Sequence, residues 1–165
     1  GYLADMGHKK IAVIGGEREY SDTGRLRYAG VLRALTERGM TFDADRYYKT
    51  AHYSFEEGYT AMAELLRETS EITAVFAMAD VMAIGAARAV RDAGKRIPED
   101  ISLIGFDGLP ICRYYEPRLS TVTQQIAFMA EKSYAVLLDM IENGSGAQHV
   151  LAPYTLEKTD SIRKN

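Results

Sequence analysis

The chain has 165 residues, 47% of them hydrophobic and 26% charged, the mixture of one ordinary globular domain with a core of its own. A net charge of −3 leaves no broad basic surface to neutralise phosphates, so the chain by itself is a poor nucleic-acid binder. Its single cysteine, Cys112, excludes an internal disulfide and leans towards a reducing, cytoplasmic setting, while neither the start of the chain nor any apolar run of about 18 residues speaks for export or a membrane.

Tyr2, Leu3 and Met6 stand at helical spacing with no N-cap before them, and Gly7 reads as a stop. That is the end of a helix, which predicts that something precedes Gly1. Lys10 to Gly16 is the first strand. Ser21, Asp22 and Thr23 offer caps for a helix from about Gly24 to Arg38, with Tyr28, Val31, Leu32 and Leu35 inward and Gly39 closing it. Arg46 to Thr50 reads as a second strand. Ser54 and Glu57 form a capping box that opens a helix to about Glu68, with Phe55, Met62 and Leu66 as its stripe.

The apolar run Ile72 to Met78 is a strand buried on both faces. Asp80 serves as N-cap for the helix Val81 to Ala93, whose small or apolar side is Ala83, Ala87, Val90 and Ala93, and Gly94 is its C′ residue. Pro98 forbids further helix, so the chain returns to a strand, Ile101 to Phe106, ending on Asp107-Gly108. After Pro110 and Pro117 comes a short strand, Leu119 to Thr123. This alternation predicts an α/β fold, an open parallel sheet flanked by helices with right-handed crossovers. The longest helix, Gln125 to Asn143, carries Ile126, Met129, Ala130, Ser133, Tyr134, Leu137, Leu138 and Ile141 on one face and ends at Gly144. Val150 to Lys158 is one extended stretch bent at Pro153, followed by a polar tail.

In open parallel sheets, ligands bind beyond the carboxyl ends of the strands. That rule selects Arg27 in the first helix, Tyr53 after strand two, Ala79 and Asp80 after strand three, Asp107 after strand four and Gln124 after strand five. An arginine fork, a carboxylate, an amide and an aromatic face together suit a polyol. Each residue also has a plain structural role open to it: Asp80 as a cap, Tyr53 as packing, Asp107 in a turn, Arg27 on a helix face, Gln124 at a strand end. Other chemistries find no support. Gly15-Gly16-Glu17-Arg18-Glu19 lacks the spacing of a dinucleotide loop, and no phosphate loop, nucleophile elbow or CxxC occurs. His8, His52 and His149 are isolated, so no metal and no cofactor are inferred. Cys112 reads as a packed thiol, Asn143-Gly144-Ser145 as a helix-ending turn rather than a glycosylation site, and no nucleophile with a base can be named for an enzyme.

Several segments match a known pattern in order and spacing. Gly7-His8 with Ile11, Arg25-Leu26-Arg27-Tyr28-Ala29-Gly30, Ala79-Asp80 with Ala83-Ile84-Gly85-Ala86, Ile97 through Asp107, and Leu119-Ser120-Thr121-Val122 resemble the C-terminal half of LacI/GalR-family transcription regulators. The resemblance implies a periplasmic-binding-protein-like core of two subdomains with an effector in the cleft, and a DNA-binding helix-turn-helix in an N-terminal region not contained in this chain. It implies that residues 1–122 form the C-terminal subdomain, that 123–149 cross into the N-terminal one, and that 150–165 bring the last strand back. Arg27, Asp107 and Gln124 match effector-contact positions, and Tyr53 matches one where an aromatic stacks. The family usually has Asn-Asp where this chain has Ala79-Asp80, a departure from the usual sugar contact. Subunits of the family pair through the helix matching Val81 to Ala93, which implies a homodimer. Without its subdomain partners, the Gln125 to Asn143 helix should pack on another copy, a swapped segment or the exposed subdomain face. The alternative of the same fold is a periplasmic sugar-binding protein of a transporter; the Arg25 to Gly30 and Pro98 to Asp107 signatures favour the regulator.

Overall fold

Every residue from 1 to 165 is described in a computed structural model. The β-branched and small apolar runs form the strands, as their burial demands. β1 (Ile11–Gly15), β2 (Tyr48–Thr50), β3 (Ala74–Ala77), β4 (Ser102–Asp107), β5 (Ser120–Gln124) and β6 (Tyr154–Glu157) make one sheet in the order β2-β1-β3-β4-β5-β6. Neighbours are parallel except β6, which runs antiparallel to β5. The expected parallel sheet therefore carries one antiparallel edge.

Alternate residues of the strands enter two cores. Ala12, Ile14, Val75, Ala77 and Leu103 pack in the larger core with Met62, Leu65, Met82, Ala86 and Val90. Those last five belong to α4 (Phe55–Glu68) and α5 (Asp80–Asp92). Ile11, Ala74 and Ile104 face the other way, onto Leu3, Leu35 and Ile162. Leu3 lies in α1 (Tyr2–Asp5) and Leu35 in α2 (Asp22–Thr36). His8 is sealed between the terminal segments: Nε2–H donates to the Arg163 carbonyl at 3.0 Å, Nδ1 accepts from the Thr73 hydroxyl at 2.9 Å, and burial lowers its pKa.

Helix α4 lies against α5 at backbone contact. A β-carbon on Gly58 would strike the Met82 carbonyl, and one on Gly85 would strike the Phe55 carbonyl, so only glycine admits this approach. The C′ glycines Gly39, Gly94 and Gly144 have φ of +67°, +71° and +66°, ending their helices as the sequence implies.

Four local expectations are corrected. Residues Arg46 to Thr50 do not form one strand: Asp43 accepts from Arg46 N at 3.3 Å and caps a helical turn, α3 (Ala44–Tyr47), leaving β2 only three residues. The N-cap of α5 is Ala79, with Asp80 the first helical residue. In the Ser54 capping box, Ser54 does accept from Glu57 N at 3.1 Å, but the Glu57 carboxylate reaches His52 rather than the cap's own N–H. Finally, only Tyr154–Glu157 of the Val150 to Lys158 stretch pairs in the sheet.

The last helix, α6 (Ile126–Asn143), leaves the sheet directly after β5, and none of its residues is buried. Ile126, Tyr134, Leu137 and Ile141 are more than half exposed. No helix of the protein is long and apolar enough to cross a membrane.

Candidate functional site

The carboxyl ends of β1, β3, β4 and β5 line one rim. Three inter-strand steps of about 4.8 Å make it about 14 Å wide. Ser21 caps α2 by accepting from Gly24 N at 3.2 Å, and this fixes where Arg27, in the second turn, leaves the helix. Its guanidinium crosses the ends of two strands. Nη1 donates to the Met78 carbonyl after β3, Nη2 lies 3.5 Å from Asp107 Oδ1 at the end of β4, and the group sits 3.8 Å over the Phe106 ring. Stacking and two polar anchors hold it in one place.

Asp107 Oδ1 also accepts from Gln124 Nε2 at 2.7 Å. One carboxylate oxygen thus receives both protein donors. No protein donor reaches Oδ2, which is solvent-accessible and free to accept from a ligand. Burial pushes the Asp107 carboxyl above its ordinary pKa against the pull of Arg27, and the Asp80 charge adds to the push. The Asp107 backbone has φ +125°, a region costly to any residue but glycine and common at functional sites.

The six residues selected from the sequence divide into three groups. Arg27, Asp107 and Gln124 meet in one hydrogen-bonded cluster. Tyr53 stands apart from them on the same rim, in the left-handed region with φ +59°, its ring laid over Gly16 at the end of β1. Ala79 and Asp80 lie below the surface, 2% and 0% exposed. Asp80 as a direct contact is therefore corrected: both its oxygens are engaged, Oδ1 by the Thr121 hydroxyl at 2.6 Å and Oδ2 by Leu109 N at 2.7 Å. It ties the loop after Asp107 to β5. Cys112 lies beside it, its thiol pushed up to about 12 by burial first and by the Asp80 charge, so it is an unreactive packed thiol.

Sequence reasoning missed Phe106, the platform under Arg27, and the Met78 carbonyl. Phe106 could have been found: it precedes Asp107 on a strand that ends at the rim. A carbonyl leaves no such trace. No cluster of three or more histidine, cysteine or carboxylate groups could hold a metal. A separate hollow of about 520 Å³ at the far end of α2, lined by Leu32, Leu35, Met40 and Phe42 among others, contains no ionisable group.

Residues 1–162 match the periplasmic binding protein-like domain. The chain belongs to that family. Within it, the relatives of this periplasmic binding protein-like domain are LacI-type transcription regulators. It is 36% identical over 150 residues to the HTH-type transcriptional repressor PurR of Pasteurella multocida, covering 91% of this chain and 44% of that protein. A LacI-family transcriptional regulator from Enterococcus faecium, solved with bound ribose, matches at a TM-score of 0.88 and 32% identity over 99% of this chain and 60% of that one. The lac repressor dimer, solved on its operator with an anti-inducer, matches at a TM-score of 0.89 and 28% identity over 98% and 55%. The chain thus spans less than half of the curated repressor and rather more than half of the two solved chains. Relatives of this kind do not favour the transporter-protein alternative.

Proposed function

We propose that this domain is the effector-sensing part of a cytoplasmic LacI-type transcription regulator, that it has no catalytic activity, and that its effector is a sugar or related polyol. The observation that carries the reading is the Arg27–Asp107–Gln124 cluster. Asp107 Oδ2 accepts from ligand hydroxyls, the remaining Arg27 N–H groups donate to them, and the Gln124 amide oxygen is a further acceptor. Paired donors and acceptors at fixed spacing suit vicinal diols. Tyr53 supplies a ring face for the apolar side of a pyranose or furanose. Ala79, buried below the rim, offers no polar side chain there, which narrows the hydrogen-bonding set, and Asp80 shapes the site through Leu109. Titration calorimetry with D-ribose, the ligand of the Enterococcus relative, tests the reading. Saturable binding to the rim supports it; no heat with ribose or any of a panel of pentoses, hexoses and disaccharides would end the polyol assignment. DNA recognition belongs to a part of the regulator outside this chain.

Residues 1–122 act as the C-terminal subdomain, 123–149 as a segment that packs elsewhere, and 150–165 as the return strand. Support for this division is the bare face of α6, which leaves the sheet at Gln124 while the chain returns beside it at Tyr154. Burying five large apolar side chains of α6 is worth roughly 10 kcal/mol, comparable with the stability of a whole domain. For this chain alone, the cover is a second copy. Sedimentation at rising concentration is expected to show dimers, and Leu137→Glu with Ile141→Glu to give monomers. A wild-type monomer at high concentration refutes the pairing. Homodimerisation in the regulator uses the α5 region, where most apolar residues of the helix are buried within the chain. Its apolar residues that are only half-buried are Val81 and Ile84, and Phe55 and Tyr59 of α4 are exposed.

A further inference from the structure

We propose that His52 is a positioning residue for Tyr53, and that its protonation tightens the effector rim. This rests on reading the rim as the effector site. Tyr53 sits in the left-handed region, φ +59°, with its ring where a Gly16 β-carbon would lie only 2.8 Å from Cε2. A non-glycine residue stays there only if its neighbours hold it. On one side Ser54 caps α4. On the other, His52 is clamped: its backbone N–H and its ring Nδ1 both meet Glu57 Oε2 at 2.6 Å, and its Nε2 lies 3.5 Å from Glu17 Oε1.

The charged groups facing the imidazole are therefore Glu57 from α4 and Glu17 from the β1–α2 loop, both acidic. Neutral imidazole has one N–H and can serve one carboxylate; imidazolium has two and serves both. The protonated ring thus ties the Tyr53 loop to the loop that follows β1 and Gly16. The Glu57 hydrogen bond raises the His52 pKa above 6.5, and Glu17 adds a smaller push. Below that raised value both ties are made. As pH rises through it, the proton is lost and the Glu17 tie goes, while Nδ1–H keeps Glu57. The β1–α2 loop then meets the Tyr53 segment only through the ring's contact with Gly16, and the ring is held less firmly.

Because the imidazole is exposed, the coupling is small, about threefold in affinity. The decisive measurement is a ¹⁵N-resolved titration of the whole chain from about pH 5.5 to about pH 9. The Tyr53 and Gly16 amides are expected to shift with the midpoint of the His52 ring, above 6.5, and to stop doing so in His52→Gln. If the ring titrates while both amides stay flat, His52 is only a surface ion pair and the proposal is overturned. Calorimetry with D-ribose then gives about threefold tighter binding at pH 6 than at pH 8.5 in wild type and no difference in His52→Gln; equal affinities in wild type also overturn it. Absence of ribose binding at both pH values counts against the effector reading, and the amide titration still decides the role of His52.

Discussion

Replacing Asp80 with alanine is expected to lower the free energy of unfolding by about 3 kcal/mol, because it strips the acceptor from one buried and one part-buried donor at once. Thr121 is 1% exposed and its acceptor Asp80 0%, so the Thr121 hydroxyl loses its partner where water does not reach, and the part-buried Leu109 N–H loses the acceptor that holds its loop. Each orphaned donor costs about 1–3 kcal/mol, and relief from burying a carboxylate offsets part of the sum. The fold is built around this group. A β-carbon on Gly105 would collide with the Asp80 carboxylate, so the strand beside it must carry glycine. Urea unfolding checks the prediction: Asp80→Ala should move the midpoint with little change in slope. Asp80→Asn keeps one acceptor and should lose about half as much. A loss under about 1 kcal/mol for the alanine variant would mean the loop finds other partners and the pin assigned here does not exist.

The same residue shows where sequence reading runs out. Its spacing from the helix start made it look like a cap, which is a local inference. Its real partners lie 29 and 41 residues away, and nothing local announces a buried carboxylate. The strands, by contrast, were legible in runs such as Ile11 to Gly15 and Ser102 to Phe106, because burial on both faces leaves an unbroken apolar string. Helix ends at Gly39, Gly94 and Gly144 were legible because a left-handed residue is chemically marked. Asp43 was overlooked because one capping aspartate in Thr41-Phe42-Asp43-Ala44-Asp45 is no stronger a signal than the strand-like Tyr47-Tyr48 that follows. Arg27 and Asp107 are 80 residues apart, yet topology alone put both on one rim. The α6 stripe was equally plain; what covers it is not written in that stripe.

Asp107→Asn is expected to weaken effector binding by about 10- to 100-fold, the loss of about 1.5–3 kcal/mol when a charged acceptor becomes a neutral one. Stability should move the other way. The folded pKa of Asp107 is raised, chiefly by burial, so folding disfavours its charged form. A carboxyl of that kind costs stability at pH values above its folded pKa, and the cost vanishes below its unfolded value of 3.8. The isosteric amide removes the charge and keeps an oxygen for Gln124 Nε2, so the variant should melt at or slightly above the wild-type temperature at pH 7. That advantage should shrink as pH falls towards 3.8. Thermal melts at neutral and acidic pH, set beside calorimetry with ribose, separate the two effects. If the variant bound ribose as tightly as wild type, the carboxylate would not be the hydroxyl acceptor. If it lost several degrees at pH 7, the Arg27 contact would outweigh the burial penalty, and Asp107 would be a structural residue first. Only weaker binding with unimpaired stability fits a carboxylate kept charged and strained at φ +125° for the sake of a ligand.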